Sequence, residues 1–230
     1  MRAIPVIDLM GGKVVRAQMG DRASYRPIDS PLSPTSDAVD VVRGLCMVYP
    51  FPALYVADLD AIQSKGDNLL ALRRIRENFP GLRIWVDNGA ADPAALDALV
   101  GTGSYEPVIG SETQRDSELI ARHGDSTEIV LSLDFRGDAF LGPAEILAEP
   151  ELWPSRVIVM TLGRVGSGAG PDFKRLAAIR SVARGRELYA AGGVRDAADL
   201  LALKAAGAAG ALIATALHNG RIGGADLEAI

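Results

Sequence analysis

Asn88-Gly89-Ala90-Ala91-Asp92-Pro93-Ala94-Ala95-Leu96-Asp97-Ala98-Leu99 and Gly192-Gly193-Val194-Arg195-Asp196-Ala197-Ala198-Asp199-Leu200-Leu201-Ala202-Leu203 are two copies of one unit, the second beginning 104 residues after the first. The register continues without a gap. Gly103 falls on Gly207, and Val108-Ile109-Gly110-Ser111 falls on Leu212-Ile213-Ala214-Thr215. Each copy reads as strand, glycine turn, helix, strand and small polar turn. Asp92 followed by Pro93 has the signature of a helix N-cap with proline in the first turn, and Asp196 takes the same place in the second copy. Gly103 and Gly207 stand where a helix would end. A strand–helix unit repeated at nearly half the chain length predicts a molecule made of two similar halves.

Outward from the repeat, short apolar runs alternate with helical patterns. Strands are predicted at 3–7, 53–57, 83–86, 107–109, 128–133, 156–160, 187–190 and 211–213. Most are continuous apolar runs, as expected of parallel strands covered on both faces. Eight such strands with intervening helices predict a (β/α)8 TIM barrel with an internal half-barrel duplication, occupying residues 1–230 as one domain. An open doubly wound sheet is the rival. It predicts no matching halves and a G-x-G-x-x-G turn after the first strand, where this chain has Asp8-Leu9-Met10-Gly11-Gly12. The polar, proline-bearing stretch 20–36 is read as a loop over the site or a solvated connection.

The formal net charge of −5 argues against a nucleic-acid partner. The lone Cys46 rules out an internal disulfide framework, and its apolar surroundings make it a core residue of a helix. No run of about 18 apolar residues is present, so no membrane span is expected, and a cytoplasmic location is the default. No His or Cys cluster has metal-ligand spacing, so neither metal nor organic cofactor is expected. Trp85 reads as core or pocket wall, and Trp153 as packing over the barrel end. Oligomeric state has no signature.

Glycine turns that open helices bind phosphate, because backbone N–H groups approach an anion at the helix N-terminus. The duplicated turns, Gly89 with Gly110 and Ser111 in one half, Gly192 and Gly193 with Ala214 and Thr215 in the other, predict a phosphorylated small-molecule substrate with two anionic ends. Barrel enzymes react at the C-terminal ends of their strands. Those positions carry Asp8, Asp58, Asp60, Asp87, Asp134 and Thr161. Asp8 and Asp134 end strands that face each other across a ring of eight, and form the candidate general base and acid. The glycine-dense loop 163–170 suits a lid or close ligand contact.

Ile4-Pro5-Val6-Ile7-Asp8-Leu9, Gly11-Gly12-Lys13-Val14-Val15-Arg16, Val56-Ala57-Asp58-Leu59-Asp60-Ala61, Leu131-Ser132-Leu133-Asp134-Phe135-Arg136 and Ala191-Gly192-Gly193-Val194 closely resemble the ProFAR isomerase family of histidine biosynthesis. That resemblance runs from residue 1 to about 220. It implies a duplicated half-barrel and an aldose-to-ketose (Amadori) rearrangement of a bisphosphorylated ribotide, with Asp8 as base. It also implies an acid, an aspartate in the loop after strand six, five residues beyond a threonine. Thr161 matches the threonine, but the aspartate position is Gly166.

Other positions depart as well. The first-half turn is Asp87-Asn88-Gly89-Ala90-Ala91, without the family's arginine, and Ala214-Thr215 stands for the usual Gly-Arg. The readings are an isomerase with a substitute acid (Asp134 or Asp87) or a diverged paralogue with another phosphorylated substrate. The second resembles a group encoded beside one-carbon cofactor (methanopterin/methanofuran) genes. A non-catalytic barrel that binds a phosphometabolite is the third.

Overall fold

The computed structural model describes residues 1–19, 21–101, 105–124 and 126–230. Gly103, the expected helix stop of the first repeat, lies outside the described residues. In chain order the strands are β1 (Arg2–Met10), β2 (Lys13–Arg16), β3 (Arg26–Pro27), β4 (Ala53–Asp58), β5 (Arg83–Asp87), β6 (Glu106–Gly110), β7 (Val130–Arg136), β8 (Ala139–Leu141), β9 (Arg156–Thr161), β10 (Glu187–Ala191) and β11 (Gly210–Ile213). β1, β4, β5, β6, β7, β9, β10 and β11 pair in that order, all in parallel. β11 then pairs back onto β1, with Arg2 opposite Gly210 and Pro5 opposite Ile213. The closure excludes the open sheet and makes the fold a (β/α)8 barrel. All eight expected strands are present.

Closure sorts the residues of each strand by parity, because successive side chains point to opposite faces. Leu54 and Val56, Ile84 and Val86, Leu131 and Leu133, Val157 and Val159 pack outward against the helices. Ile4, Tyr55, Trp85, Val108, Val130, Ile158, Tyr189 and Leu212 form a separate inner cluster. The floor of the barrel is sealed by the edge-to-face pair Trp85–Tyr189, with ring centroids 5.0 Å apart. Arg156 and Arg2 lie over those rings at 5.2 and 5.5 Å. Trp85 is thus core, far from any mouth. Trp153 is fully buried and donates its indole N–H to the Ile146 carbonyl at 2.6 Å.

The repeat holds at the level of single hydrogen bonds. The Asp92 carboxylate accepts from the Ala95 N–H at 3.0 Å and opens the helix Pro93–Val100. The Asp196 carboxylate accepts from the Asp199 N–H at 3.0 Å and opens the helix Ala197–Ala205.

A second repeat was not visible in the sequence. β2 folds back antiparallel on β1 and places Val15 opposite Asp8, while β8 folds back on β7 and places Leu141 opposite Asp134. The turn of the first hairpin, Gly11-Gly12, has φ of 57° and 75°, which the two-residue hairpin turn requires and glycine supplies freely. Within the stretch 20–36, read as a loop over the site or a solvated connection, β3 pairs antiparallel with β2 and extends the sheet.

If the two caps are equivalent, Asp92→Ala and Asp196→Ala should each cost about 0.5–2 kcal/mol in urea unfolding. A loss confined to one of them would show that the halves do not share this support.

Candidate active site

At the C-terminal ends of the strands lies a cavity of about 320 Å³. Its inner wall is apolar, with Val6, Ala57, Met160, Ala191 and Leu212. Parity decides which acids reach it. Asp8, Asp87 and Asp134 share the inward register of Val6, Trp85 and Ser132, and all three line the cavity. Asp58 has the outward register of Val56. It is buried and accepts from the backbone N–H of Ala61 at 3.1 Å and of Asn68 at 2.8 Å. Asp60 accepts from the Gly11 N–H at 2.6 Å. These two acids anchor loops.

The three inward carboxyls differ in their partners. Asp134 accepts from the Ser132 hydroxyl at 2.7 Å and the Glu112 N–H at 3.2 Å. Asp87 accepts from the Tyr55 hydroxyl and the Gly89 N–H, each at 3.1 Å. Among the described residues the Asp8 carboxyl has no hydrogen-bond partner and faces the cavity. Desolvation by the surrounding barrel pushes Asp8 up to about 7, and the charge of Asp87 adds to this against the pull of Arg22. Desolvation likewise raises Asp134 to about 7, with help from Asp87 and against the hydrogen bond from Ser132. Asp87 itself is raised by desolvation to about 6.

Two groups that the sequence did not single out complete this end. Arg22, from the segment after β2, bonds the Glu112 carboxylate at 2.5 Å, and Tyr25 from the same segment lines the cavity. Nothing local marks Arg22 or Glu112, which lie 90 residues apart.

The other end is built from backbone. Gly192 and Gly193 have φ of 94° and 91°. A Cβ on Gly192 would lie 2.5 Å from the Thr161 carbonyl oxygen, and one on Gly193 would lie 2.2 Å from that of Gly170, so both positions demand glycine. Ala214 and Thr215, at the start of the short helix Thr215–His218, also line the cavity, as do Asn219 and Arg221. Arg195 lines the cavity as well, with its guanidinium bonded to the Asp199 carboxylate at 2.9 and 2.8 Å.

Six expected site residues therefore meet at one cavity: Asp8, Asp134, Gly192, Gly193, Ala214 and Thr215. The other four do not line it. Gly89 sits against Ile62, where a Cβ would be 2.9 Å from the Ile62 Cα. Gly110 lies behind Asp87 and Asp134. Ser111 is fully buried, donates to the Leu141 carbonyl at 2.7 Å and accepts from the Asp134 N–H at 2.9 Å. Thr161 is buried, and its carbonyl backs Gly192. In the first half, the backbone N–H groups of Gly89 and Glu112 donate to the carboxyls of Asp87 and Asp134.

The loop after β9 closes over the site. The Met19 N–H donates to the Val165 carbonyl at 2.8 Å. Gly166 has φ of 67°, and a Cβ there would lie 2.8 Å from the Ala17 carbonyl oxygen. Of the two histidines, His218 is buried against the Ser30 hydroxyl at 2.8 Å, and desolvation lowers it to about 4. Among the described residues no group of three or more His, Cys, Asp or Glu could hold a metal ion, and no helix is long and apolar enough to cross a membrane.

Residues 2–223 match the family described as histidine biosynthesis protein. A Myxococcus xanthus protein named 1-(5-phosphoribosyl)-5-((5-phosphoribosylamino)methylideneamino)imidazole-4-carboxamide isomerase is 30% identical, covering 96% of this chain and 95% of its own length. A protein of the same name from Thermus thermophilus is 29% identical over 96% of each chain. An uncharacterized protein of Methanocaldococcus jannaschii is 28% identical over 100% of this chain and 97% of its own.

The raised acids have a consequence for stability. Between about pH 4 and pH 7 the native chain keeps protons on Asp8, Asp87 and Asp134 that the unfolded chain releases, so these groups make stability fall as pH rises. In urea unfolding, Asp8→Asn should match the native chain near pH 4 and exceed it near pH 8. Equal or lower stability of the variant at the higher pH would refute the desolvation of Asp8.

Proposed function

The chain belongs to the histidine biosynthesis protein family, and from that footing we propose that it is an isomerase-type enzyme that converts the aldose form of a phosphorylated, sugar-derived metabolite into the ketose form. The observation that carries this is the unpartnered Asp8 carboxyl, inward at the mouth and raised to about 7, across the ring from Asp134. In this reading the phosphate rests on the N–H groups of Gly192-Gly193 and of the turn at Ala214-Thr215.

Asp8 takes the proton from the sugar carbon next to the anomeric carbon. The electron pair left behind forms the carbon–carbon double bond of an enamine-type intermediate. The ring carbon–oxygen bond opens, and Asp134 protonates the departing oxygen. Tautomerisation of the enol then gives the ketose. A pKa near neutrality suits both groups, since each must gain and lose a proton at the working pH. Neutral Asp134 is favoured by its burial and by the charge of Asp87.

A second observation favours a substrate other than that of the named relatives. The position where the family resemblance implies an acid is Gly166, and the Ala17 carbonyl fills the space its Cβ would need. The full-length likeness to the uncharacterized methanogen protein is in keeping with such a diverged paralogue.

Two experiments test these readings. Incubated in heavy water with a panel of phosphorylated aldoses and aminoaldoses, the chain should catalyse deuterium exchange at the carbon next to the anomeric centre. Asp8→Asn should slow that exchange about 10²–10⁴-fold while leaving the circular dichroism spectrum unchanged. An unaltered rate in Asp8→Asn removes the base assignment, and no exchange across the panel would favour a phosphometabolite-binding barrel. Separately, the chain should fail to restore growth of a histidine auxotroph lacking the isomerase. Gly166→Asp should not rescue it, because that position has positive φ and no room for a Cβ.

A further inference from the structure

The two ends of the cavity differ in sign, although the sequence repeat relates them. At the second-half end, Gly192, Gly193, Ala214 and Thr215 present backbone, with Arg221 at the rim. At the first-half end, the equivalent residues have been withdrawn. Gly89 is under Ile62, and the Ser111 hydroxyl is spent on the β7 hairpin. Gly110 backs onto the carboxyls themselves: a Cβ there would lie 3.4 Å from both the Asp134 and the Asp87 Oδ2 atoms. What faces the cavity there is Asp87, Glu112 and Asp134.

Two cations also line the cavity in this region, Arg22 and Arg136. The Arg22 charge is met by Glu112. Arg136 is exposed at the end of β7. With Asp134 held as the neutral acid, Asp87 and Glu112 are the carboxylates offered to a ligand here, and only Glu112 is neutralised by the guanidinium beside it. A phosphate placed here would meet like charge at short range in a water-poor wall. A donor group would meet free lone pairs of Asp87, whose bonds from Tyr55 and Gly89 leave part of its acceptor capacity unused. The carboxyls are not grouped to hold a metal ion.

We infer that the ligand has a single anionic end, a phosphomonoester at Gly192-Gly193 and Ala214-Thr215, and that its far end carries a protonated amine received by Asp87 and Glu112. The inference rests on the phosphate reading of the second-half end proposed above. An ammonium between Asp87 and Glu112 shares Glu112 with Arg22 and makes charge-assisted hydrogen bonds to both carboxylates. It also lowers the pKa of Asp87, drawing off a proton that burial otherwise helps to hold.

Isothermal titration of the full chain with three probes tests this: aminobutyl phosphate, hydroxybutyl phosphate and butanediol bisphosphate. The amine is expected to bind about tenfold or more tighter than the alcohol, the scale of one hydrogen bond to a charged group, with the bisphosphate no tighter than the alcohol. In Asp87→Asn the preference for the amine should vanish while the alcohol still binds. Equal binding of amine and alcohol, or tightest binding of the bisphosphate, would overturn the inference and leave the isomerase reading standing. Failure of all three to bind would overturn the phosphate reading and the inference together.

Discussion

Closing eight parallel strands into a ring forces every strand to choose an inner and an outer set of side chains, and the chemistry of this protein follows from that choice. Asp8, Asp87 and Asp134 fall on the inner set at the same end of the ring, where the surrounding barrel takes much of the water away from their carboxyls. Carboxyls held there keep their protons to a higher pH than usual. Asp58, at a comparable strand end but with the opposite parity, is spent on holding a loop. The same residue type at the same kind of position thus faces the cavity or anchors a loop according to which way one strand is phased.

Much of this was legible in the sequence because it is local or periodic. The apolar runs located all eight barrel strands, and the repeat located the paired helix caps at Asp92 and Asp196. The second-half glycine turn was legible too, since positions with positive φ and no space for a side chain leave glycine as their trace. Asp8 and Asp134 could be singled out because each ends a buried strand. The hairpins β1–β2 and β7–β8 escaped notice because β2 and β8 are short and carry weak patterns.

Less legible were residues whose surroundings are set by distant partners. Gly89, Gly110 and Ser111 look like the counterparts of Gly193, Ala214 and Thr215, and in register they are. Their surroundings are not equivalent, because Ile62, Asp87 and the β7–β8 hairpin occupy the space on that side. Arg22 and Glu112 meet across 90 residues, and no local pattern announces such a pair. Gly166 reads as a missing acid in sequence. In three dimensions the Ala17 carbonyl stands where its side chain would begin, so the change belongs to a remodelled contact between two loops. A duplicated gene can keep its scaffold in register while its two halves diverge in the charge they offer a ligand.

The edge-to-face pair Trp85 and Tyr189 gives this vessel a bottom as well as a mouth. With that pair buried at the floor, the door of the vessel is the end at which the C-termini of the strands lie. At that door the Met19 N–H is joined to the Val165 carbonyl, so widening it would first have to separate the loop after β9 from the segment after β2.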